Sequence, residues 1–190
     1  MIKFAITGNI ASGKSIAQTF LKEQGYKVLD TDDVSHELLT VNNIDLYKAF
    51  REYDVFENGE FSRLKLAQLV FSDLILKKQL ESILHPQIAA KIEEFFEQNS
   101  SEDKVFVGIP LLFESGMQNL FDKVILVYVE DDIRLKRLMN RNNFTEKQAL
   151  ARINSQIPQD EKLKLADYVI NNNGTVEEFK RLILEKLKLE

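Results

Sequence analysis

The sequence predicts an α/β fold, a five-stranded parallel sheet with helices on both faces and a helical insertion. Three observations predict it. Short apolar runs at residues 2–6, 26–29, 104–109, 123–129 and 166–170 alternate with segments of helical period, as in a parallel sheet built by crossovers. Gly8-Asn9-Ile10-Ala11-Ser12-Gly13-Lys14-Ser15 stands between the first run and the first helix. Residues 42–100 carry one helical pattern after another and no strand of the main sheet.

The first run, Ile2 to Ile6, is apolar enough for a central strand. The Gly-x-x-x-x-Gly-Lys-Ser that follows is the P-loop pattern in its proper strand-to-helix context. Glycines let the backbone turn its N–H groups inward, and the helix N-terminus adds its positive end, so the loop suits phosphates. Lys14 is placed to reach β- and γ-phosphates, and the Ser15 hydroxyl to hold Mg²⁺. The nucleotide-binding stretch is therefore Gly8, Asn9, Ile10, Ala11, Ser12, Gly13, Lys14, Ser15 and Ile16.

The second strand, Tyr26 to Leu29, runs into Asp30-Thr31-Asp32-Asp33. Ligands of open parallel sheets bind beyond the carboxyl ends of the strands, so these acids fall near the phosphates. Asp32 is expected to orient or deprotonate an attacking hydroxyl, with Asp30 in support. Asp33 is read as the cap of a helix from Val34 to Leu39.

The insertion reads as helices over 44–53, 64–71 with Ser62 as N-cap, 74–84, and a fourth marked by Ile88, Ile92 and Phe96. Asn58-Gly59 is a tight turn between short apolar pieces. Arg63 begins a helix, where a positive charge opposes the dipole. It either meets a substrate phosphate or is simply solvated. On chemistry alone, His85-Pro86 ends one helix and starts the next.

The third core strand, Lys104 to Ile109, ends in Pro110-Leu111-Leu112-Phe113-Glu114 and offers Gly108 where many P-loop proteins carry an aspartate. That absence argues against motor or switch chemistry and for phosphoryl transfer to a small molecule. Leu112 is a pocket wall or a core residue. After the fourth strand, Lys123 to Val129, a helix carries Arg134, Arg137 and Arg141 on one face. Thr145-x-x-Gln148 opens the next helix as a capping box, the helix runs to about Gln156 and carries Arg152, and Pro158 ends this stretch. Two arginine-bearing helices describe a lid over phosphates, with a solvated basic face as the plainer alternative. The fifth strand, Ala166 to Ile170, leads to the turn Asn171-Asn172-Asn173-Gly174, placed to contact a base, and Thr175-x-x-Glu178 caps the last helix. The expected layout is one domain with core 1–41, 101–132 and 159–190, insertion 42–100 and lid 133–158.

Composition sets the limits. The chain has 190 residues, 44% apolar and 29% charged, ordinary for a globular domain. A net charge of −5 gives no basic field for nucleic acid. No cysteine is present, so thiolate metal sites and cysteine nucleophiles are excluded. Two histidines cannot make a His-rich metal site. No run is long enough for a membrane span, and Met1 leads straight into the first strand, so a cytoplasmic location is expected. A monomer is expected, with an oligomer left open.

Taken together these residues resemble the dephospho-CoA kinase family nearly end to end. The resemblance rests on Thr7 through Ser15, Val28-Leu29-Asp30-Thr31-Asp32, Asn58-Gly59 with Arg63, Leu84-His85-Pro86, Ile109 through Glu114, Arg137 with Arg141, Arg152 to Gln156, and Ala166-Asp167 through Gly174. It implies transfer of the ATP γ-phosphoryl to the ribose 3′-hydroxyl of dephospho-CoA, with ATP and Mg²⁺ as cofactors. It makes Asp32 the catalytic base and Lys14 and Arg141 the charge stabilisers. Arg137 and Asn173 join the ATP site, and Asp30, Asp32, Arg63, His85 and Leu112 the substrate site. Two residues depart from the family, which usually has Gly at Asn9 and often at Ala11. Asn tolerates the left-handed region, whereas Ala enters it at a cost, so a loop needing positive φ at residue 11 would be strained. The alternatives are another small-molecule or nucleoside monophosphate kinase on the same scaffold, and a nucleotide-binding scaffold without catalysis. A guanine-nucleotide switch lacks support, since no Asn-Lys-x-Asp occurs.

Overall fold

The computed structural model describes residues 1–188. In chain order the elements are β1 (Ile2–Thr7), α1 (Lys14–Glu23), β2 (Lys27–Asp30), α2 (Thr31–Leu38), α3 (Ile44–Phe50), β3 (Phe56–Glu57), β4 (Glu60–Phe61), α4 (Arg63–Ser72) and α5 (Leu74–Gln98). Then come β5 (Lys104–Gly108), a 3-10 turn (Met117–Leu120), β6 (Lys123–Tyr128), α6 (Asp131–Asn142), α7 (Glu146–Asn154), α8 (Gln159–Leu163), β7 (Tyr168–Asn171) and α9 (Val176–Leu187). The chain forms two compact units, Met1–Asp30 with Phe96–Glu190, and Thr31–Phe95.

The first unit holds the predicted sheet, in the order β2-β5-β1-β6-β7, every pair parallel. From β1 the chain goes first to one side, through β2 and β5, and then to the other, through β6 and β7, so the order reverses about β1, where the phosphate loop begins. Both sheet faces are apolar, as a buried parallel sheet requires. Phe4, Ile6, Phe106, Ile125, Val127 and Ile170 pack on one face against Ala17, Phe20 and Leu21 of α1 and Phe179, Ile183 and Leu187 of α9. The alternating residues Ala5, Val105, Val107 and Leu126 are buried as well.

The second unit has its own core of Leu46, Phe50, Val55, Phe61, Leu66 and Leu76. Asn58 (φ 52°) and Gly59 (φ 83°) make the two-residue turn of the β3–β4 hairpin, both at positive φ as a type I′ turn needs. Ser62 holds the N-cap position of α4 without a side-chain hydrogen bond.

Two local expectations are corrected. Helix α2 begins at Thr31, so Asp33 is not its cap but lies with Asp32 in its first turn, where acids suit the dipole. His85-Pro86 does not divide two helices, because α5 runs unbroken over 25 residues with Pro86 inside it. The buried residues Leu84, Ile88, Ile92 and Phe96 keep a four-residue spacing across the proline. Burying that stripe outweighs the ~3 kcal/mol that an internal proline costs a helix.

Candidate active site

The Gly8–Ser15 loop owes its shape to small spaces. A Cβ on Gly8 would sit 2.7 Å from the Val127 carbonyl oxygen and collide with Ser12. Gly13, at φ 102°, leaves room for the Asn172 amide, whose Nδ2 donates to the Ser12 carbonyl at 2.7 Å. Ala11 sits at φ 64°, so the loop does require the left-handed region where the chain has a Cβ.

Lys14 leads α1 back over β2 and β5. Its Nζ donates to Gln18 Oε1 at 3.0 Å and to Asp30 Oδ1 at 3.3 Å. The Lys14 side chain is only 9% exposed, and Asp30 18%, so the pair is held largely out of water. Gln18 reaches Lys14 because β5 ends in glycine, and a Cβ on Gly108 would run into the Gln18 amide. The residue that takes the place of a strand-end aspartate is thus a glutamine from α1. Ser15 and Ile16 are exposed in the first turn of α1.

The Arg134, Arg137, Arg141 face does not act as one surface. Arg134 is buried, and its Nη2 donates to Asp131 Oδ1 at 2.8 Å. Desolvation pushes its guanidinium below the ordinary arginine range, and Asp131 opposes that shift. Arg137 Nη2 donates to the Asn172 carbonyl at 2.9 Å. Arg141 is exposed and donates to Asn142 Oδ1 at 2.9 Å. Asn173 takes the Glu130 N–H on Oδ1 and donates Nδ2 to Glu130 Oε1, both at 2.9 Å. That pins the turn after β7 to the start of α6.

Within the first unit the structure therefore gathers the loop, Lys14, Ser15, Asp30, Arg137 and Asn173. Leu112 belongs to the same unit, but its side chain is fully buried and offers no exposed surface. The exposed neighbour is Leu111. In the second unit Asp32 and Arg63 are exposed and His85 is half-buried within α5. Among the described residues no group of three His, Cys, Asp or Glu could hold a metal by itself. The hydroxyl of Ser15 and the Asp30 carboxylate are hard oxygen donors suited to Mg²⁺ shared with phosphates. No helix among the described residues is long and apolar enough to cross a membrane.

Sequence reading missed Gln18 and Asn172. Gln18 carried one weak signal, its place one helical turn after Lys14. Asn172 is one of three consecutive asparagines, and only the fold shows which one reaches Ser12.

A parallel sheet with its phosphate loop after the central strand, and a lysine brought back over the strand ends, defines a P-loop kinase. The dephospho-CoA kinase family model matches residues 2–178. A Geobacillus kaustophilus dephospho-CoA kinase is 44% identical over 193 residues, covering 98% of this chain and 96% of that one. A Thermus thermophilus protein of known crystal structure is 35% identical at a TM-score of 0.85, covering 99% of this chain and 97% of the other. The dephospho-CoA kinase of Campylobacter jejuni is 35% identical at a TM-score of 0.75, over 98% and 95% of the two chains. The chain belongs to the dephospho-CoA kinase family, and is a phosphotransferase that uses ATP to convert dephospho-CoA to coenzyme A.

Proposed function

We propose that the Gly8–Ser15 loop binds the ATP phosphates and that Asp32 serves as base toward the ribose 3′-hydroxyl of dephospho-CoA. The observation that carries this reading is the Lys14 ammonium, shielded from water and steered by Gln18 and Asp30. In this account Lys14 leaves Asp30 in part and stabilises the charge that grows on the γ-phosphoryl oxygens. The 3′-oxygen attacks the γ-phosphorus, its proton passes to the Asp32 carboxylate, and ADP leaves. Mg²⁺, when bound, supplies further charge compensation, with Ser15 as its protein ligand. Arg141 and Arg137 act from a lid over 133–158, and Asn173 and Ile16 border the nucleotide. The insertion, over 42–100, carries Arg63 and His85 toward the CoA portion. Leu112 takes part only if the loop after β5 opens its side chain to ligand. In this reading the enzyme works in the cytoplasm without nucleic-acid or membrane partners, as a monomer, with an oligomer as the alternative.

The test is ADP release from ATP·Mg²⁺ with dephospho-CoA, AMP or adenosine as acceptor. Dephospho-CoA alone is expected to stimulate release. Lys14→Ala and Asp32→Asn are each expected to lower kcat/KM by about two orders of magnitude or more, with urea unfolding midpoints close to the parent. Folded variants that keep full activity would remove these roles.

A further inference from the structure

The phosphate loop is fastened on its outer side to the chain between α7 and α8. The Ile10 N–H donates to Gln156 Oε1 at 2.7 Å. Asn9 Nδ2 donates to the Ile157 carbonyl at 2.9 Å. Asn9 is 2% exposed, so this bond is made out of water. The far side of the fastening is anchored in turn. The Ile157 N–H donates to Glu114 Oε1 at 3.2 Å, and the same oxygen lies 2.7 Å from the Nζ of fully buried Lys162. Beside these bonds, Ile10 and Ala11 pack on Leu138, Ala149 and Ile153, the small core between α6 and α7.

Ala11 gives this fastening its purpose. A residue with a Cβ at φ 64° resists that backbone shape, and strained residues persist only where their surroundings over-determine them. The two residues before Ala11 are both held by hydrogen bonds, and Ala11 itself is packed. Without those contacts the alanine would relax toward negative φ and turn the neighbouring N–H groups away from the phosphates.

We infer that Asn9 and Gln156 are positioning residues. They clasp the phosphate loop to residues 156–157 and hold it in its ATP-ready shape against the strain at Ala11. The inference rests on the reading of Gly8–Ser15 as the ATP-phosphate loop. It concerns binding in the ground state, so it shows in KM for ATP rather than in kcat.

The test is steady-state kinetics with dephospho-CoA, joined to amide hydrogen exchange at Ile10. Gln156→Met keeps the length of the side chain and removes the acceptor. Asn9→Ala removes the donor. Each is expected to raise KM for ATP about five-fold, the worth of one hydrogen bond, with kcat within about two-fold. Ile10 is expected to lose exchange protection in Gln156→Met. Ala11→Gly added to Gln156→Met is expected to restore at least about half of the lost affinity, because glycine enters the left-handed region freely. A lowered Tm with unchanged KM in both single variants would make the contacts a plain structural bridge and overturn the inference. So would a double variant with no recovery. Lys14→Ala, run alongside, keeps the two readings apart. If it leaves both ATP binding and kcat intact, the loop is not the phosphate site and the clasp falls with it. If it lowers kcat or weakens ATP binding while Gln156→Met and Asn9→Ala change nothing, the clasp alone is wrong.

Discussion

Gly108 and Gln18 form a unit that neither residue announces alone. The strand ends in a residue without a side chain, and the helix opposite supplies an amide that fills the gap and turns Lys14. Gly108→Ala tests the pair. The added Cβ would strike the flexible end of Gln18, so the fold is expected to survive with a loss of about 1 kcal/mol. Lys14 would lose its Gln18 partner, and KM for ATP is expected to rise a few-fold. Kinetics beside urea unfolding reads both, and an unchanged KM would remove Gln18 from the site. At this scale the signature Gly8, Gly13, Lys14 and Ser15 was legible because its spacing falls within eight residues, although the neighbours that require the two glycines, Val127 and Asn172, do not. Gln156 on Ile10 and Asn172 on Ser12 were not, since their partners lie 146 and 160 residues away.

Elements were legible where a short-range rule fixes their ends. Thr145-x-x-Gln148 and Thr175-x-x-Glu178 both form complete capping boxes. The second has a consequence in acid. The Thr175 N–H bonds the Glu178 carboxylate and holds it below the usual glutamate range. A lowered folded pKa contributes stability above the unfolded value of about 4.3, and that stability is lost as pH falls through the folded one. Glu178→Gln keeps an acceptor and removes the titration. Its Tm is expected to fall less steeply than the parent's between about pH 5 and pH 3, and parallel curves would contradict this. Helix α5 shows where such rules mislead. Proline is a boundary signal over four residues, while the buried stripe runs the whole length of the helix, and the longer pattern prevailed. The start of α2 was misplaced for a related reason. Several acids in a row offer more than one cap, and only the continuation of β2 into Asp30 decides among them.

Across the first unit, the ion pair of Glu114 and Lys162 ties the segment after β5 to α8. No pattern in the sequence joins two residues so far apart. Removing one partner of a buried pair leaves the other charge stranded, whereas removing both need not. Glu114→Ala is expected to cost on the order of 3 kcal/mol in urea unfolding. Adding Lys162→Met is expected to return much of it, and a double variant as weak as the single would show that packing, not charge, is at stake. The order of the sheet strands was not read from the sequence, although their number and parallel sense were. Parallel crossovers leave the same apolar runs whichever neighbours they pair with.

Strand order also bears on how the polypeptide is made. Of the strands in this sheet β1 is made before the others, yet it is the middle one, and both its neighbours are encoded beyond residue 103. At synthesis rates of about 5–20 residues per second, Ile2 to Thr7 waits roughly 5–20 s for a partner. The segment Thr31–Phe95, by contrast, is continuous in sequence and needs nothing made later for its own core. The nascent chain can therefore close the core of its second unit while β1 is still unpaired.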